Sequence, residues 1–332
     1  MNLTLIICTY MRPKAVSVLL GSVAQQKRIP NEVIVVDGST NDLTCEAIEE
    51  NKLELDIRYL KVPDEERGLT RQRNYGIERV SENSDIVAFL DDDVVLEADY
   101  FMEILRTFDV FPNAVGVGGY IIENNWKKGP PLSGSKRYFS FDGWYRRDGR
   151  RTIIRKYLGI GPSPIPCIMP PESHGRSVGG FPPSGKIYSA ECFMGGVASY
   201  RREALDKIRF SRYFDGYGLY EDFDFCLRLS KLGPSYVNTG AQLHHYHEPD
   251  GRPNWFKYGK MVVRNGWYVW RVKYEKPVFQ ARWKWWFITL LLATIRLMNV
   301  VSGPRRMQAL TEALGRYYAV LTVFIFPPQI ER

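Results

Sequence analysis

The sequence lacks the cysteine pattern of a disulfide framework. None of its cysteines has CxxC spacing, and their number is odd: Cys8, Cys45, Cys167, Cys192 and Cys226. This pattern favours reduced thiols in a cytosolic setting. A basic leader with a cleavage site is also missing, because Met1 leads directly into an apolar strand pattern. We therefore expect no secretory signal.

Uncharged apolar runs of bilayer-spanning length are also missing. Residues 285–295 carry no charge, but these 11 residues are about half of the ~20 that a spanning helix needs, and Arg296 interrupts the run. Residues 317–328 are likewise apolar and short. Tryptophan, lysine and arginine flank both runs, so we predict helices that lie in the interface of an anionic membrane, with a dimer interface as the alternative. A basic amphipathic helix predicted over 255–274 suits the membrane surface or packing against the catalytic domain.

The composition is that of a folded protein. The 332 residues are 45% apolar and 25% charged, which excludes disorder and repeat arrays. The net charge of +8 indicates an anionic partner: nucleic acid, acidic lipid or a phosphorylated substrate. Most of the positive excess follows residue 125, whereas the first 100 residues are acid-rich.

Strand and helix patterns alternate along the first part of the chain. The predicted strands are 2–10, 32–37, 57–62, 86–90 and 114–121, and the predicted helices are 11 to about 26 and 68–81. This alternation predicts an α/β fold with a doubly wound, mostly parallel sheet whose polar strand ends open on one edge. No GxGxxG follows the first strand, so a dinucleotide-binding fingerprint is absent.

Three consecutive carboxylates, Asp91, Asp92 and Asp93, follow the fourth predicted strand. At this spacing they cannot all stay ionised without a counter-charge. The arrangement suits a hard cation such as Mg²⁺ or Mn²⁺, which in turn binds a diphosphate. The alternative is a solvated acidic turn that caps the next helix.

Polar residues follow other strands as well. Asp37 ends the second strand, where its carboxylate could accept hydrogen bonds from a base or ribose, or cap the following helix. Arg71 and Arg73 lie at the start of a helix whose amide dipoles favour anions, and guanidinium groups bind phosphate or base there. Arginines on a helix face that pair with nearby acids are the alternative.

Two further clusters lie downstream. Glu221 and Asp222 follow a glycine-rich stretch and start an amphipathic helix, where acids are also favoured by the helix dipole alone. Three of the four histidines are His244, His245 and His247, and neutral imidazole is a good ligand for Mn²⁺. A structural zinc site is less well supported, because no cysteine lies near in sequence.

Four of these patterns together resemble the family 2 glycosyltransferases, which have the GT-A fold. They are Cys-Thr-Tyr at 8–10, Val-Val-Asp-Gly-Ser at 35–39, the 68–74 segment and Leu-Asp-Asp-Asp-Val at 90–94. The resemblance covers residues 1 to about 125 and resumes over 188–250. It implies transfer from a nucleoside-diphosphate sugar with inversion, assisted by a divalent metal, Mn²⁺ or Mg²⁺.

The resemblance also implies roles for single residues. Thr9 and Asp37 would bind the nucleoside, Arg73 the nucleotide, and Asp91 with Asp93 the ribose and the metal. With the neighbouring positions, the predicted nucleotide-sugar site comprises Thr9, Tyr10, Asp37, Arg71, Arg73, Asp91, Asp92, Gly195 and Gly196, the two glycines lying under the donor sugar.

The catalytic roles follow from the second half of the resemblance. Asp222 would be the general base that takes the proton of the acceptor hydroxyl, and Glu221 would orient the acceptor. His245 would be the remaining metal ligand beside Asp91 and Asp93, with His247 as the alternative.

We predict a catalytic domain over 1–250 and a basic, aromatic helical region over 251–332 that associates with a membrane. The catalytic domain has a nucleotide-sugar half (1–125), an insertion rich in Pro, Gly and aromatic residues (126–187) assigned to acceptor binding, and a catalytic-base half (188–250). A loop this long without structure usually has a function.

The predicted protein is a cytoplasmic enzyme, peripheral at the inner face of the cell membrane. It would use a UDP- or dTDP-sugar and a lipid-linked or cell-envelope glycan; its oligomeric state stays open. One alternative is a nucleotidyltransferase, which would favour a Gly-rich phosphate loop after the first strand. The other is a basic nucleic-acid-binding protein, against which the acids at the sheet edge argue.

Overall fold

The computed structural model describes residues 1–122, 125–130, 135–172, 175–246 and 254–331. The chain forms two compact units. Unit 1 comprises Met1–Asn124 and Pro183–Glu248, and unit 2 comprises Asn125–Pro182 and Pro249–Arg332. By compactness, the insertion over 126–187 therefore belongs mostly with the C-terminal helices. The roles assigned to the predicted segments stay predictions, and the boundary at 250 lies outside the described residues.

The helices and strands follow the predicted order closely. The described strands are β1 (Leu3–Thr9), β2 (Glu32–Asp37), β3 (Ile57–Lys61), β4 (Ile86–Asp91), β5 (Val94–Leu96), β6 (Gly116–Ile121), β7 (Lys127–Lys128), β8 (Tyr138–Phe141), β9 (Trp144–Arg147), β10 (Ile187–Ser189), β11 (Val197–Arg201) and β12 (Ser235–His245). The described α-helices are α1 (Pro13–Ala24), α2 (Leu43–Asn51), α3 (Leu69–Ile77), α4 (Tyr100–Val110), α5 (Arg150–Tyr157), α6 (Arg202–Lys207), α7 (Glu221–Leu229), α8 (Trp255–Lys273), α9 (Phe279–Ser302) and α10 (Arg306–Ile325).

Unit 1 contains a sheet of nine described strands in the order β10-β12-β6-β11-β4-β1-β2-β3, with β5 paired to β12. The α/β fold class is confirmed. The four neighbouring strands β3, β2, β1 and β4 are parallel, as predicted. Beyond β4 the sheet is mixed, because β11 runs antiparallel to both β4 and β6. The direction of β11 depends on its pairing with distant strands, which the alternation of strand and helix patterns does not show.

The core of unit 1 fixes where the strands end. Leu5, Ile7, Val33 and Val35 are fully buried, and α1 buries residues at the helical spacing Val16, Leu19, Leu20 and Val23. Each such side chain stabilises the fold by about 1.5–3 kcal/mol. Their packing sets the register in which Thr9 pairs with Asp37 and Cys8 with Asp91. The polar strand ends therefore meet at one edge.

The insertion is more ordered than its Gly- and Pro-rich sequence suggests. It forms the small antiparallel sheet β7-β9-β8 and the helix α5. Asp148 is buried here and pairs with Arg176 at 2.7 Å and with Lys156 at 2.5 Å. Burial opposes its charge, but the two cations outweigh burial and lower the pKa of Asp148. The expectation of a structureless loop is wrong, because short strands and this ion-pair cluster order the segment.

The C-terminal helices of unit 2 pack closely. A Cβ on Gly259 of α8 would lie 2.1 Å from the carbonyl oxygen of Glu312, and one on Gly315 of α10 would lie 2.1 Å from that of Phe256. Only glycine allows the two backbones this approach. The helix predicted over 255–274 therefore packs against α10 with the face that contains Gly259.

The helix α9 is longer than its uncharged run. It continues through Arg296, whose Nε lies 2.8 Å from Oε2 of Glu312 on α10. The stretch Phe279–Val301 has 23 residues, and it is long and apolar enough to cross a membrane by length and composition. The length argument from the 11-residue run therefore does not apply to the whole helix, and its place in a membrane interface stays a prediction. Arg296 does interrupt the uncharged run, as the sequence shows, but it does not end the helix.

Candidate active site

The candidate site lies at the carboxyl edge of the parallel strands in unit 1. Gln72 on α3 joins two of these strand ends, because its Nε2 donates to the carbonyl oxygens of Thr9 and Val36, each at 2.9 Å. Its Oε1 accepts from the Gly68 amide at 3.3 Å. In α/β folds this edge is where ligands bind.

Asp91, Asp93 and His245 meet at this edge. One potential ligand atom from each lies within 4.8 Å of the others, and His245 Nε2 is 2.9 Å from Asp93 Oδ1. The contact depends on β12, which pairs antiparallel with β5 and sets His245 opposite Val94. The Tyr246 amide also donates to the Asp93 carbonyl at 2.9 Å. The alternative ligand, His247, lies outside the described residues.

This cluster fits a divalent cation. Two carboxylates and one imidazole form a donor set that suits Mn²⁺, and Mg²⁺ through the oxygens. Burial opposes a proton on His245, but Asp93 and the two neighbouring aspartates outweigh burial and raise the pKa of the imidazole. A cation would replace that proton as the group that balances the aspartates.

Arg73 and Glu221 form a buried ion pair beside the cluster. Their side chains are 3% and 6% exposed, and Nη1 lies 2.5 Å from Oε1. Arg73 Nη2 is also 3.6 Å from Asp91 Oδ1. Burial raises the pKa of Glu221, and the Arg73 guanidinium opposes that rise. Oε2 of Glu221 is buried without a hydrogen-bond partner among the described residues, so it is available to accept from a hydroxyl.

Asp222 lies next to this pair in the first turn of α7. Its Oδ1 accepts from the Phe223 amide at 2.8 Å, and its Oδ2 is 3.4 Å from the Gly195 amide. Burial raises the pKa of Asp222 to about 6. The carboxylate is therefore mostly ionised at neutral pH and more basic than an exposed aspartate, as a general base requires.

Gly195 and Gly196 precede β11 and provide space for the charged groups. A Cβ on Gly196 would lie 2.0 Å from Asp91 Oδ2, and one on Gly195 would lie 2.6 Å from Arg73 Nη1. Glycine is needed at both positions because any side chain would displace the carboxylate or the guanidinium. The expected place of these glycines under a donor sugar stays a prediction.

Thr9 and Asp92 contact each other at the end of β1. Thr9 Oγ1 donates to Asp92 Oδ2 at 2.7 Å, and Arg12 Nη1 donates to Asp92 Oδ1 at 2.9 Å. Burial raises the pKa of Asp92 to about 6. Arg12 also lies 3.6 Å from Asp93. The aspartate triplet is thus partly balanced by a cation from the neighbouring strand end.

Other predicted nucleotide-sugar residues lie around this edge with different surroundings. Asp37 is fully buried, and it accepts from the Ser39 amide and from the Tyr59 hydroxyl, each at 2.8 Å. Arg71 donates to Asp215 at 2.8 and 2.5 Å. Tyr10 is 54% exposed. Binding of a nucleotide by these residues stays a prediction.

The structure adds four residues that the sequence did not indicate: Arg12, Tyr59, Gln72 and Asp215. Only Arg12 had a usable signal, because it follows a strand end next to acids that need a counter-charge. Tyr59 and Gln72 look like ordinary strand and helix residues. Asp215 lies in the glycine-rich stretch before α7, and its two partners, Thr70 and Arg71, are about 145 residues away in sequence.

Several known proteins are similar to this chain. The Haloferax volcanii glucosyl-dolichyl phosphate glucuronosyltransferase is 34% identical over 125 residues, which are 37% of this chain and 39% of that protein. Mannosyltransferase PcManGT from Pyrobaculum calidifontis, in complex with GDP-Man and Mn²⁺, has 15% identity and a TM-score of 0.52 over 99% of this chain and 76% of its own. S. aureus TarS in complex with UDP-GlcNAc has 14% identity and a TM-score of 0.50 over 98% and 92%.

At this identity the two solved structures indicate the fold alone, which is that of GT-A glycosyltransferases. The match to the Haloferax volcanii protein covers well under half of that relative's length. The nucleotidyltransferase and nucleic-acid-binding alternatives receive no support from these matches. The model of glycosyl transferase family 2 matches residues 4–169, half of the chain, and together with the site geometry this match shows that the chain belongs to that family.

Proposed function

We propose that this chain transfers a sugar from a nucleoside-diphosphate sugar to an acceptor hydroxyl with inversion, using Mn²⁺ or Mg²⁺ held by Asp91, Asp93 and His245. The observation that carries the proposal is the convergence of these three side chains, with the half-buried carboxylate of Asp222 near Asp91. The GDP-Man and UDP-GlcNAc complexes of the structural neighbours support a nucleotide-sugar donor. UDP- and dTDP-sugars are the first donors to test.

The reaction needs one base and one displacement. The ionised carboxylate of Asp222 takes the proton of the acceptor hydroxyl. The hydroxyl oxygen then bonds to the anomeric carbon while the bond from that carbon to the diphosphate oxygen breaks, and the diphosphate leaves with the bonding electrons. Attack from the face opposite the leaving group inverts the anomeric carbon. A bound divalent cation would neutralise the negative charge that develops on the diphosphate.

The buried pair of Arg73 and Glu221 supports this arrangement. The pair fixes the guanidinium 3.6 Å from Asp91, and so close to the predicted diphosphate position. The buried Oε2 of Glu221 can accept a hydrogen bond from a hydroxyl of the sugar or the acceptor. Orientation of the acceptor by Glu221 is therefore part of the proposal.

A lipid-linked or cell-envelope glycan is the proposed acceptor, and the inner face of the cell membrane is the proposed location. By its name, the Haloferax volcanii relative acts on glucosyl-dolichyl phosphate, which is a lipid-linked sugar. Exposed apolar side chains lie on one face of α9, where Phe279 and Val301 are each 83% exposed. Apolar residues this exposed are typical of surfaces that meet lipid or another protein.

The test is a screen of nucleotide sugars for binding and hydrolysis, with and without Mn²⁺, on the wild type and on Asp222→Asn. We expect the variant to bind the donor but to lose about 10²–10⁴-fold in transfer. Asp206→Asn is the matched control, because Asp206 is an exposed aspartate of the same unit, and it should behave as the wild type. Transfer by Asp222→Asn at the wild-type rate would show that the base is assigned wrongly. If no nucleotide sugar stabilised the wild type with Mn²⁺, the donor class would be wrong.

A further inference from the structure

Unit 2 contains a cavity of about 750 Å³ whose charge is opposite to that of the acidic edge in unit 1. Five arginines and one glutamate line it, together with the aromatic residues Trp255 and Tyr258. The arginines are Arg150, Arg151, Arg296, Arg305 and Arg316. A cavity of this size can hold most of a small organic ligand.

Only part of this positive charge is balanced. Glu312 is buried, and its Oε1 accepts from Arg316 at 2.6 and 3.0 Å, while its Oε2 lies 2.8 Å from Arg296. Arg150, Arg151 and Arg305 are exposed, and no carboxylate of the described residues lies within 4.0 Å of them. The single glutamate therefore serves two arginines and leaves three without an acidic partner in the described structure.

Two helix N-termini add to this potential. Gly149 precedes the first turn of α5, where Arg150 and Arg151 lie, and Arg305 precedes the first turn of α10. Neither first turn contains an acidic residue. A helix N-terminus carries partial positive charge and normally favours acids, so arginines here are locally unfavourable. A bound anion would offset the positive charge at the N-termini of α5 and α10.

The remaining lining groups fit the rest of a ligand. The rings of Trp255 and Tyr258 lie 5.8 Å apart at the cavity, and such rings offer an apolar surface for a sugar. Oε1 of Gln308 is buried without a hydrogen-bond partner among the described residues, so it can accept from a ligand hydroxyl. Guanidinium groups bind phosphate in pairs of parallel hydrogen bonds.

We propose that this cavity of unit 2 is a binding site for a phosphate-bearing ligand, with Arg150, Arg151 and Arg305 on the phosphate and the aromatic rings against an attached sugar. The phosphate can come from a soluble sugar phosphate or from a lipid headgroup. The site is separate from the proposed metal site, since all its residues belong to unit 2. It goes beyond the proposed donor chemistry and does not require it.

The cavity and the exposed apolar stripe lie on different faces of α9. Leu292, Ile295, Arg296 and Asn299 line the cavity. The exposed apolar residues of α9 repeat at the same helical spacing on the other side: Phe279, Trp283, Phe287, Leu290, Leu297, Met298 and Val301. The cavity and the apolar stripe are therefore different surfaces of α9, and removal of the cavity arginines leaves the stripe unchanged.

The test uses the full chain in the presence of a chelator, so that divalent cations do not hold phosphate at the acidic edge of unit 1. Binding of pyrophosphate, glucose 1-phosphate and glucose is measured by calorimetry on the wild type and on the double variant Arg151→Gln/Arg305→Gln. The matched control is Arg147→Gln/Arg306→Gln, which removes the same charge from exposed arginines of unit 2 that do not line the cavity.

We expect the wild type to bind both phosphates better than glucose. The cavity variant should lose about a hundredfold or more in affinity for them, because each arginine contributes about tenfold. The control variant should stay within about twofold of the wild type. Binding of UDP is measured in parallel with and without Mn²⁺, and the part of the binding that depends on Mn²⁺ should be unchanged in all three proteins. If the wild type showed no UDP binding that depends on Mn²⁺, the proposed function would be contradicted. The result for the cavity would not be affected.

Vesicles separate the two sources of phosphate. Phosphatidic acid vesicles are compared with phosphatidylcholine vesicles for the same three proteins. If only the cavity variant loses its preference for phosphatidic acid, the site takes a lipid headgroup; if it loses only the soluble phosphates, the site takes a soluble ligand. The proposal is overturned if the wild type binds no phosphate in either form, or if the control variant loses as much as the cavity variant.

Discussion

The acidic edge of unit 1 and the arginine cavity of unit 2 have opposite charge imbalances. At the edge, five carboxylates, Asp91, Asp92, Asp93, Glu221 and Asp222, meet two arginines, Arg12 and Arg73, and the imidazole of His245. In the cavity, five arginines meet Glu312. Each imbalance indicates a ligand of the missing sign: a cation at the edge and an anion in the cavity.

The two regions also differ in how their charges are held. Arg73 and Glu221 are almost fully buried and depend on each other, whereas Arg305 at the rim of the cavity is exposed. A buried charge that loses its partner destabilises the fold, but an exposed one is solvated by water. The comparison therefore predicts large effects on stability in unit 1 and effects on ligand binding alone at the cavity rim.

The largest expected effect follows from Arg73→Met. The substitution leaves Glu221 buried without its cation, and we expect the free energy of unfolding to fall by about 3–5 kcal/mol. Urea denaturation measures the loss. Arg71→Met is the matched control: Arg71 and its partner Asp215 are 30% and 29% exposed, so water screens the pair and a clearly smaller loss is expected. Equal losses in the two variants would contradict the contrast between buried and exposed pairs.

The next effect is expected from Gly196→Ala. The added methyl group would lie 2.0 Å from Asp91 Oδ2, so the carboxylate must leave its position in the cluster with Asp93 and His245. We expect Mn²⁺ affinity, measured by calorimetry, to fall about 10–100-fold. In Gly21→Ala the new Cβ has no atom within 4 Å, and Mn²⁺ affinity should stay the same. If Gly196→Ala bound Mn²⁺ with the wild-type affinity, Asp91 would not be a ligand of the metal.

The pH dependence of transfer tests the base. Burial raises the pKa of Asp222 to about 6, and only the ionised carboxylate accepts a proton. With donor and metal saturating, kcat should therefore be level near neutral pH and fall about tenfold per pH unit below about 6. Recovery of the rate on return to neutral pH controls for unfolding. A rate that stays level down to about pH 5 would be incompatible with Asp222 as the base.

The smallest expected effect is that of Arg305→Gln on stability. Because Arg305 is exposed, the free energy of unfolding should change by less than about 0.5 kcal/mol. Glu312→Gln is the contrast, since it removes the carboxylate shared by Arg296 and Arg316 and should cost about 2 kcal/mol. If Arg305→Gln destabilised unit 2 as much as Glu312→Gln, Arg305 would be a structural residue rather than a ligand-binding one.

The parallel half of the sheet was predictable because its signals are local. The apolar runs that became β1, β2 and β4 are buried along most of their length. β2 ends at Asp37 as predicted, and β1 and β4 end at Thr9 and Asp91, each within one residue of the predicted end. The start of α7 at Glu221 was likewise visible from the glycines before it and the amphipathic run after it. Such patterns depend on neighbours within one element, so the sequence alone shows them.

The surroundings of the charged side chains were less predictable. Arg73 reads as a surface arginine poised for phosphate, yet it is buried against Glu221, 148 residues further along the chain. The sequence predicts Gly195 and Gly196 under a donor sugar, but it does not show that they also leave space for Arg73 and Asp91. The α9 helix continues through Arg296, whose guanidinium lies 2.8 Å from Glu312 of the next helix, a partner that the sequence does not indicate.

The sequence by itself determined the family, the parallel strands and the residue types of the candidate site. These features depend on the spacing of apolar residues and on turn residues, which are patterns within short segments of the chain. Only the tertiary structure decided which charges meet. Three features arise from contacts between distant segments. They are the antiparallel pairing of β11, the pairing of β12 that brings His245 close to Asp93, and the five arginines that line the cavity of unit 2. Their geometry is set by packing of the whole core, which no local pattern records.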